Sequence, residues 1–243
     1  MRHLAILLAV LLPFKAHALV NSVEVSDAEF AAAFPWMVAL VHPDKKRNAC
    51  GAVMIAPEWA LTVAHCLEGK TVVLVGDPDR RKARRISIAQ TISHPEYSQG
   101  PRVYDVALVR LEEPVAVDYV LVPDEAVAEE LILPGRPAEL LGWGRTETLD
   151  PPVYRLRKGQ VKLNKLQFID SVYSYTYRGG GPCKLDSGGP MLRTTEDGRS
   201  YVVGLASATG GGLCEHNGGT AFYVNVASVR AFILQHVGSL QAS

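Results

Sequence analysis

The sequence predicts an all-β protein, either a sandwich or a barrel. Apolar runs of strand length recur along the chain, and several of them are rich in β-branched residues. Turns rich in glycine and proline separate these runs, as in Gly76-Asp77-Pro78 and Leu133-Pro134-Gly135. Only the end of the chain has apolar residues at helical spacing. These three observations favour sheets throughout and one helix near the C-terminus.

The predicted strands follow one another from residue 52 to residue 226. They are the runs 52–55, 72–75, 106–111, 140–141, 161–163, 201–205 and 221–226. A terminal helix over 226–237 follows from the helical spacing of Val226, Val229, Ile233 and Val237. The segment Glu125–Leu131 is also compatible with a helix.

The composition is that of a globular chain without excess charge. The 243 residues are 48% hydrophobic, and 25 basic side chains balance 25 acidic ones. Such a chain is not expected to bind phosphate backbones or anionic lipid, so neither nucleic acid nor a membrane is an expected partner. The run Arg80-Arg81-Lys82-Ala83-Arg84-Arg85 is interpreted as a solvated loop, with a docking or self-cleavage patch as the alternative.

Residues 1–18 have the form of a secretory signal peptide. An apolar run over 4–12 follows Arg2, and Ala16-His17-Ala18 has the small-x-small pattern that signal peptidase cleaves. We therefore expect cleavage after Ala18 and a secreted protein, extracellular or periplasmic. Four cysteines in an exported chain predict two disulfides, for which three pairings are possible.

Three polar residues lie in contexts that suit catalysis. Ser187 lies in the glycine-rich turn Asp186-Ser187-Gly188-Gly189-Pro190, which can expose a nucleophile beside backbone N–H groups. His65 follows an apolar strand and precedes Cys66, and Asp105 begins the apolar run 106–111, where burial requires a partner. Each residue taken alone is more often structural. The three together favour catalysis.

The chain order of His65, Asp105 and Ser187 in these contexts resembles the chymotrypsin (trypsin-like) family of serine proteases. Further segments are similar to that family: Phe34-Pro35-Trp36-Met37-Val38, His94-Pro95-Glu96-Tyr97, Gly142-Trp143-Gly144 and Phe222-Tyr223-Val224-Asn225-Val226. The resemblance implies one domain over residues 19–243 that ends in a C-terminal helix. This domain would consist of two six-stranded antiparallel β-barrels that divide near residues 120–135, with the site between the barrels.

The resemblance also implies a role for each site residue. Ser187 would be the nucleophile, His65 the general base and acid, and Asp105 the group that fixes the histidine tautomer. The N–H groups of Leu185 and Ser187 would form the oxyanion hole. Ser207 would hydrogen-bond Asp105 and line the substrate strand.

Disulfides and activation follow from the same resemblance. Cys50 would pair with Cys66 beside the histidine, and Cys183 with Cys214 across the specificity pocket. The α-amine of Leu19, exposed by signal peptidase without a further propeptide, would fold inward and pair with Asp186.

The implied specificity pocket lies between residues 179–183 and 207–214. Its floor residue is Gly181, where a trypsin has an aspartate, so a small or medium apolar residue before the cut is expected, with a large aromatic as the second choice. Ala208 replaces the family's tryptophan, and Thr209 and Ala221 would be wall residues. Lys184 at the rim would either favour acidic groups or be solvated. Glu215 would restore a basic preference if it reached the pocket.

These expectations describe a secreted serine endopeptidase. Its partners would be protein or peptide substrates and a protein protease inhibitor, and the chain would be a monomer without cofactor or metal. The alternative is a protease-fold binding protein that has lost catalysis. The family has glycine where this chain has Leu185, and either that substitution or failed insertion of the N-terminus would cause the loss.

Overall fold

The computed structural model describes residues 19, 22–44, 49–100, 102–146, 153–177, 180–210, 214 and 218–240. The predicted signal peptide and Glu215 lie outside them. Within these ranges no helix has the length and apolar character needed to cross a membrane.

The first half of the chain forms a closed antiparallel barrel of six strands. It follows a two-residue strand, Val23–Glu24 (β1), and a short helix, Asp27–Ala33 (α1). The barrel strands are Met37–Val41 (β2), Ala49–Ala56 (β3), Trp59–Thr62 (β4), Val72–Val75 (β5), Arg84–Ser93 (β6) and Ala107–Leu111 (β7). They hydrogen-bond in the order β2-β3-β4-β7-β6-β5. Every residue of β2 and β3 is buried, which explains their continuous apolar runs.

The second half is an antiparallel sheet of eight strands. After helix Glu125–Leu131 (α2) come Pro137–Gly142 (β8), Arg157–Lys162 (β9), Asn164–Ile169 (β10), Val172–Tyr177 (β11), Pro190–Thr194 (β12), Ser200–Gly210 (β13) and Gly219–Asn225 (β14). Their order is β1-β9-β8-β12-β13-β14-β11-β10. The short 3-10 helix Ala227–Val229 and helix Arg230–Val237 (α3) end the fold.

The all-β prediction with a C-terminal helix is confirmed, as is the helix over Glu125–Leu131. The second half has two strands more than the expected six. The N-terminal segment adds β1 beside β9, and β10 forms a hairpin with β11 at the other end of the sheet. The expected division near residues 120–135 falls in the connection between β7 and β8.

Two hydrophobic clusters hold the fold together. One fills the first barrel, extends into the second half and includes Phe232 and Ile233 of α3. The ring of Phe232 lies 4.9 Å from that of His94, so the C-terminal helix contacts the first half. The other lies in the second half and contains the fully buried rings of Tyr173, Tyr175 and Tyr223. Both halves thus have a core that can hold loops rigidly at their junction.

The interpretation of the basic run as a solvated loop holds in part, because Arg81, Lys82, Arg84 and Arg85 are exposed but Arg80 is buried. Arg80 is only 5% exposed, and its Nη2 donates to the carbonyl oxygen of Val153 at 2.7 Å. Arg81 pairs with the buried Asp79, whose pKa the guanidinium lowers to about 2. Arg84 already belongs to β6. The run therefore joins the barrel to the 153–155 segment of the second half, a role that a charge pattern alone does not reveal.

Candidate active site

His65 and Asp105 form a hydrogen-bonded pair at the end of the first barrel. The short 3-10 helix Ala64–Cys66 follows β4 and carries the half-buried His65. Its Nδ1 lies 2.7 Å from Oδ2 of Asp105, and its backbone N–H donates to Oδ1 at 3.0 Å. Since an ionised carboxylate only accepts, Nδ1 carries the proton and Nε2 is left as the basic nitrogen.

Ser207 supplies the third hydrogen bond to the fully buried Asp105. Its Oγ donates to Oδ2 at 2.6 Å. Burial by itself raises the pKa of the Asp105 carboxyl, but the hydrogen bonds from His65 and Ser207 together outweigh it, and the pKa lies below its ordinary value. The carboxylate is thus kept charged beside the imidazole.

The loop before Asp105 is fixed by contacts with the second half. Tyr104 has a φ of +52° and donates its backbone N–H to Oγ of the buried Ser171 at 2.6 Å. Its ring stacks on His94, with ring centroids 4.6 Å apart. These contacts hold the start of β7, and with it the carboxylate, between the two halves.

Ser187 lies in two consecutive tight turns. The N–H of Asp186 donates to the carbonyl of Cys183, and the N–H of Gly189 donates to that of Asp186. In both turns the third residue has a positive φ, +73° at Leu185 and +74° at Gly188. This is the geometry of a type II turn, and it leaves Ser187 at the second position, partly exposed.

The serine turn is attached directly to the barrel strand β3. The N–H of Gly51 donates to the carbonyl of Ser187 at 2.8 Å, and Oγ1 of the buried Thr62 donates to the carbonyl of Gly51 at 2.8 Å. A Cβ on Gly51 would lie 2.7 Å from Cα of Gly189, and a Cβ on Gly188 would overlap both the carbonyl of Gly51 and Oγ1 of Thr62. The serine is therefore positioned by backbone-to-backbone contact with the same barrel that carries His65.

Both predicted disulfides are present. Cys50 on β3 is bonded to Cys66, next to His65, and Cys183, at the start of the serine turns, is bonded to Cys214. Cross-links of this kind constrain the unfolded chain and fix the loops that they join. The first therefore fastens the histidine segment to β3.

Two backbone N–H groups in the serine turns have no acceptor among the described residues. Within the described part of the chain, neither the N–H of Leu185 nor that of Ser187 takes part in a hydrogen bond. Donors of this kind can bind an oxygen on which negative charge develops. Leu185 is in the left-handed region, which costs a residue with a side chain about 1–2 kcal/mol.

We expect the Leu185→Gly variant of the protein to be more stable than the Leu185→Ala variant. Leu185→Ala keeps the positive φ and its steric cost, whereas Leu185→Gly removes that cost, so the glycine variant should have the larger free energy of unfolding, by about 1 kcal/mol. Urea unfolding of the two variants measures the difference. Equal stabilities would mean that the φ of +73° carries no strain.

A cavity of about 400 Å³ opens beside Ser187. Its lining residues are Arg102, Pro182, Cys183, Lys184, Leu185, Asp186, Ser187, Ala206, Ser207, Ala208 and Thr209. Gly181 and Ala221 do not line it. Gly181 is buried where a Cβ would overlap the ring of Tyr177, and Ala221 is fully buried in β14. Part of the expected pocket wall, residues 178–179, 211–213 and 215–217, lies outside the described residues.

Sequence reasoning missed Arg102 as a residue of the site. Its Nη1 donates to the carbonyl oxygen of Ser207 at 2.7 Å, which places the guanidinium at the cavity wall. Nothing near position 102 distinguishes this arginine from a surface residue. Gly51 and Thr62 were missed for a similar reason, because their role is a contact between segments far apart in the chain.

Asp186 is 2% exposed, and both of its carboxylate oxygens accept backbone N–H groups. Oδ1 accepts from Gly144 and Oδ2 from Cys183, each at 2.9 Å. Burial raises the pKa of Asp186 to about 7 against the lowering effect of these two bonds. Leu19 is also buried and packs against β9 at Gly159. In the described part of the chain, no cationic side chain pairs with Asp186.

No metal centre is formed by the described side chains, since no group of three or more His, Cys, Asp or Glu residues is arranged to hold an ion. The site consists of a paired histidine and carboxylate, a serine in a constrained turn, and two backbone N–H donors that have no acceptor in the described part of the chain. Such an arrangement can carry out acyl transfer through a serine nucleophile.

Known proteins have sequences similar to this chain. Vitamin K-dependent protein C of the rabbit, Oryctolagus cuniculus, is 30% identical over an alignment that covers 86% of this chain and 51% of the rabbit protein. The same protein of the mouse, Mus musculus, is 30% identical, with 84% of this chain and 49% of the mouse protein covered. The chain thus spans about half the length of these relatives. The trypsin family matches residues 24–233, and the chain therefore belongs to the trypsin family.

Proposed function

We propose that this chain is a secreted serine endopeptidase that cleaves peptide bonds through an acyl-enzyme. The observation that carries the proposal is the network His65–Asp105–Ser207, together with a serine turn that is hydrogen-bonded to the histidine's own barrel. Membership of the trypsin family supports the same reaction. The substrates are proteins or peptides, a protein inhibitor is a further partner, and the chain acts as a monomer.

In the first half of the reaction, Oγ of Ser187 bonds to the carbonyl carbon of the substrate while its proton passes to Nε2 of His65. The negative charge that develops on the carbonyl oxygen is bound by the N–H groups of Leu185 and Ser187. The C–N bond then breaks as His65 returns the proton to the departing amine. Asp105 stabilises the imidazolium throughout and stays ionised.

In the second half, a water molecule attacks the ester carbon of acylated Ser187 and gives its proton to Nε2 of His65. The C–Oγ bond then breaks, and the same proton returns to the serine oxygen. The cycle ends with a free acid and the original enzyme. No step requires a cofactor or metal.

The residue before the cut is a small or medium apolar one. Gly181 does not line the cavity, and among the described lining residues the one carboxylate, Asp186, already accepts two backbone N–H groups, so no free carboxylate awaits a basic side chain. Ala208 and Thr209 are small side chains at the cavity wall. A long cationic side chain would enter unpaired, which costs free energy.

Export and activation are linked in this proposal. Removal of residues 1–18 frees the α-amine of Leu19, and this amine pairs with Asp186 and orders the oxyanion hole. The buried carboxyl of Asp186, with a pKa raised to about 7 and no cation beside it in the described part of the uncleaved chain, supports this pairing. The two disulfides support an oxidising compartment.

The pH dependence of stability tests the pairing. When a tag precedes Leu19, the folded protein holds the Asp186 proton up to about pH 7, whereas the unfolded chain releases it near pH 4. The free energy of unfolding therefore falls as the pH rises through this interval, by roughly 3 kcal/mol between about pH 4.5 and 7. The tagged Asp186→Asn variant is expected to lack this fall.

The protein that begins at Leu19 is expected to lack the fall as well, because a positive α-amine keeps the carboxylate ionised. Urea unfolding at the two pH values compares the three proteins. If the tagged and free forms behaved alike, the pairing of Leu19 with Asp186 would be refuted.

A second candidate function is that of a binding protein with the protease fold. The left-handed conformation of Leu185 favours it, since strain at a donor of the oxyanion hole can displace that donor. The intact His65–Asp105 pair favours the enzyme.

A fluorophosphonate probe decides between the two functions. The protein that begins at Leu19 is expected to be labelled on Ser187, and the Ser187→Ala variant is expected to remain unlabelled. A wild-type protein that is correctly processed and folded, yet not labelled, would favour the binding protein.

A further inference from the structure

Among the described residues that line the cavity beside Ser187, the charges that remain available to a ligand are positive. Its lining residues include three charged side chains, Arg102, Lys184 and Asp186. Asp186 is buried, and its two oxygens already accept backbone N–H groups. Lys184 is exposed and Arg102 is half-buried. Among the described lining residues, a ligand in the cavity therefore meets two cations and no free anion.

One hydrogen bond fixes Arg102 at the cavity wall, and its other N–H groups remain available to a ligand. One of its N–H groups donates to the carbonyl of Ser207 at 2.7 Å. Among the carboxylates that the structure describes, none forms an ion pair with it. A guanidinium has five N–H donors in a planar fork that fits a carboxylate, so one fixed contact leaves the fork oriented for a second partner.

Arg102 is connected to the catalytic residues through Ser207. Ser207, whose carbonyl Arg102 binds, also hydrogen-bonds Asp105 through its Oγ. Strand β13 pairs with β12 only as far as Leu205, so residues 207–209 lie beyond the end of that ladder and line the cavity. A peptide bound with its carbonyl at Ser187 therefore passes this edge and the guanidinium attached to it.

We propose that the cavity selects peptides with an acidic side chain in the stretch just before the cleaved bond, and that Arg102, aided by Lys184, determines this selection. The inference rests on the proposed function and adds a substrate class to it. A carboxylate forms a charge-assisted pair with the fork of Arg102. A substrate lysine or arginine near Arg102 and Lys184 would meet two like charges.

Matched peptides test the selection. In an all-alanine p-nitroanilide peptide, each alanine is replaced in turn by Glu and by its neutral isostere Gln, and kcat/KM is measured for each pair. We expect the Glu peptide to be preferred by about tenfold at one position at least. Arg102→Gln should bring this ratio close to one, and Lys184→Gln should lower it in part.

Arg199→Gln is the matched control. It removes the same charge from the hairpin between β12 and β13, where Arg199 pairs with Asp197. This variant should keep the wild-type preference. A ratio near one at every position in the wild type would overturn the proposal, and so would a preference that survives in both Arg102→Gln and Lys184→Gln.

Binding to the Ser187→Ala variant separates this inference from the proposed function. Fluorescent Glu and Gln peptides should differ in Kd by the same factor when nothing is cleaved. If the wild type cleaved no peptide while Ser187→Ala bound the Glu peptide tighter, the endopeptidase function would fail and the selection would hold. If the wild type cleaved all peptides alike, the selection alone would fail.

Discussion

Asp105→Asn is expected to lower kcat by about 10⁴-fold while the protein stays folded. Oδ1 of Asp105 accepts the backbone N–H of His65, and Oδ2 accepts both Nδ1–H of His65 and the hydroxyl of Ser207. Asparagine has only one oxygen for these three donors. With its oxygen toward the backbone N–H, its amide faces Nδ1 and requires that nitrogen to accept. The imidazole then carries its proton on Nε2 and cannot take one from Ser187.

The opposite orientation of the asparagine amide costs more free energy, because its NH₂ group would face the backbone N–H of His65 and leave two donors together inside a fully buried site. Kinetics with a cleaved peptide measure the loss of kcat in Asp105→Asn, and thermal unfolding measures its stability. Ser207→Ala is the control, since it removes one of the three hydrogen bonds and leaves the tautomer unchanged. A loss in Ser207→Ala as large as that in Asp105→Asn would argue against tautomer control by Asp105.

Gly188→Ala is expected to lower kcat by at least about 100-fold and to destabilise the fold. A Cβ at this position would overlap the carbonyl of Gly51 and Oγ1 of Thr62, and neither group can move without disturbing the barrel. The serine turn must then move away from β3. A displacement of about 1 Å at a reacting group can cost 10²-fold in rate. The rate of fluorophosphonate labelling measures this directly on the folded fraction.

Gly198→Ala is the matched control. Gly198 also has a positive φ, +85°, but a Cβ there would meet nothing within 4 Å. This variant should lose about 1 kcal/mol of stability through backbone strain and keep its labelling rate. Equal labelling rates in Gly188→Ala and Gly198→Ala would show that contact with β3 does not position the serine.

Local sequence patterns were enough to predict seven of the fourteen described strands, two of the helices, and the segments that carry His65, Asp105 and Ser187. Each of these signals lies within a few residues, in an apolar run or a glycine turn. The first helix was missed although Ser26 accepts the N–H of Glu29, which is the spacing of a helix N-cap. Strand β6 was missed because most of its side chains are exposed and polar, and its pairing with β5 and β7 defines it.

The contacts between distant segments could not be predicted. Arg102 reaches Ser207 across 105 positions of the chain, and Arg80 reaches Val153 across 73. Both arginines look like surface residues in the sequence, since nothing local indicates what they approach. The packing of Gly181 under Tyr177 is another case, because a glycine does not reveal which side chain occupies the space beside it.

The proposed reaction requires that Ser187 be acylated during turnover. The most direct measurement mixes the protein that begins at Leu19 with an activated ester, quenches it in acid within the first turnover, and locates the added mass by peptide mapping. We expect an acyl group on the peptide that contains Ser187, and none in Ser187→Ala. Product formation by Ser187→Ala at the wild-type rate, or an acyl group on another residue, would contradict it.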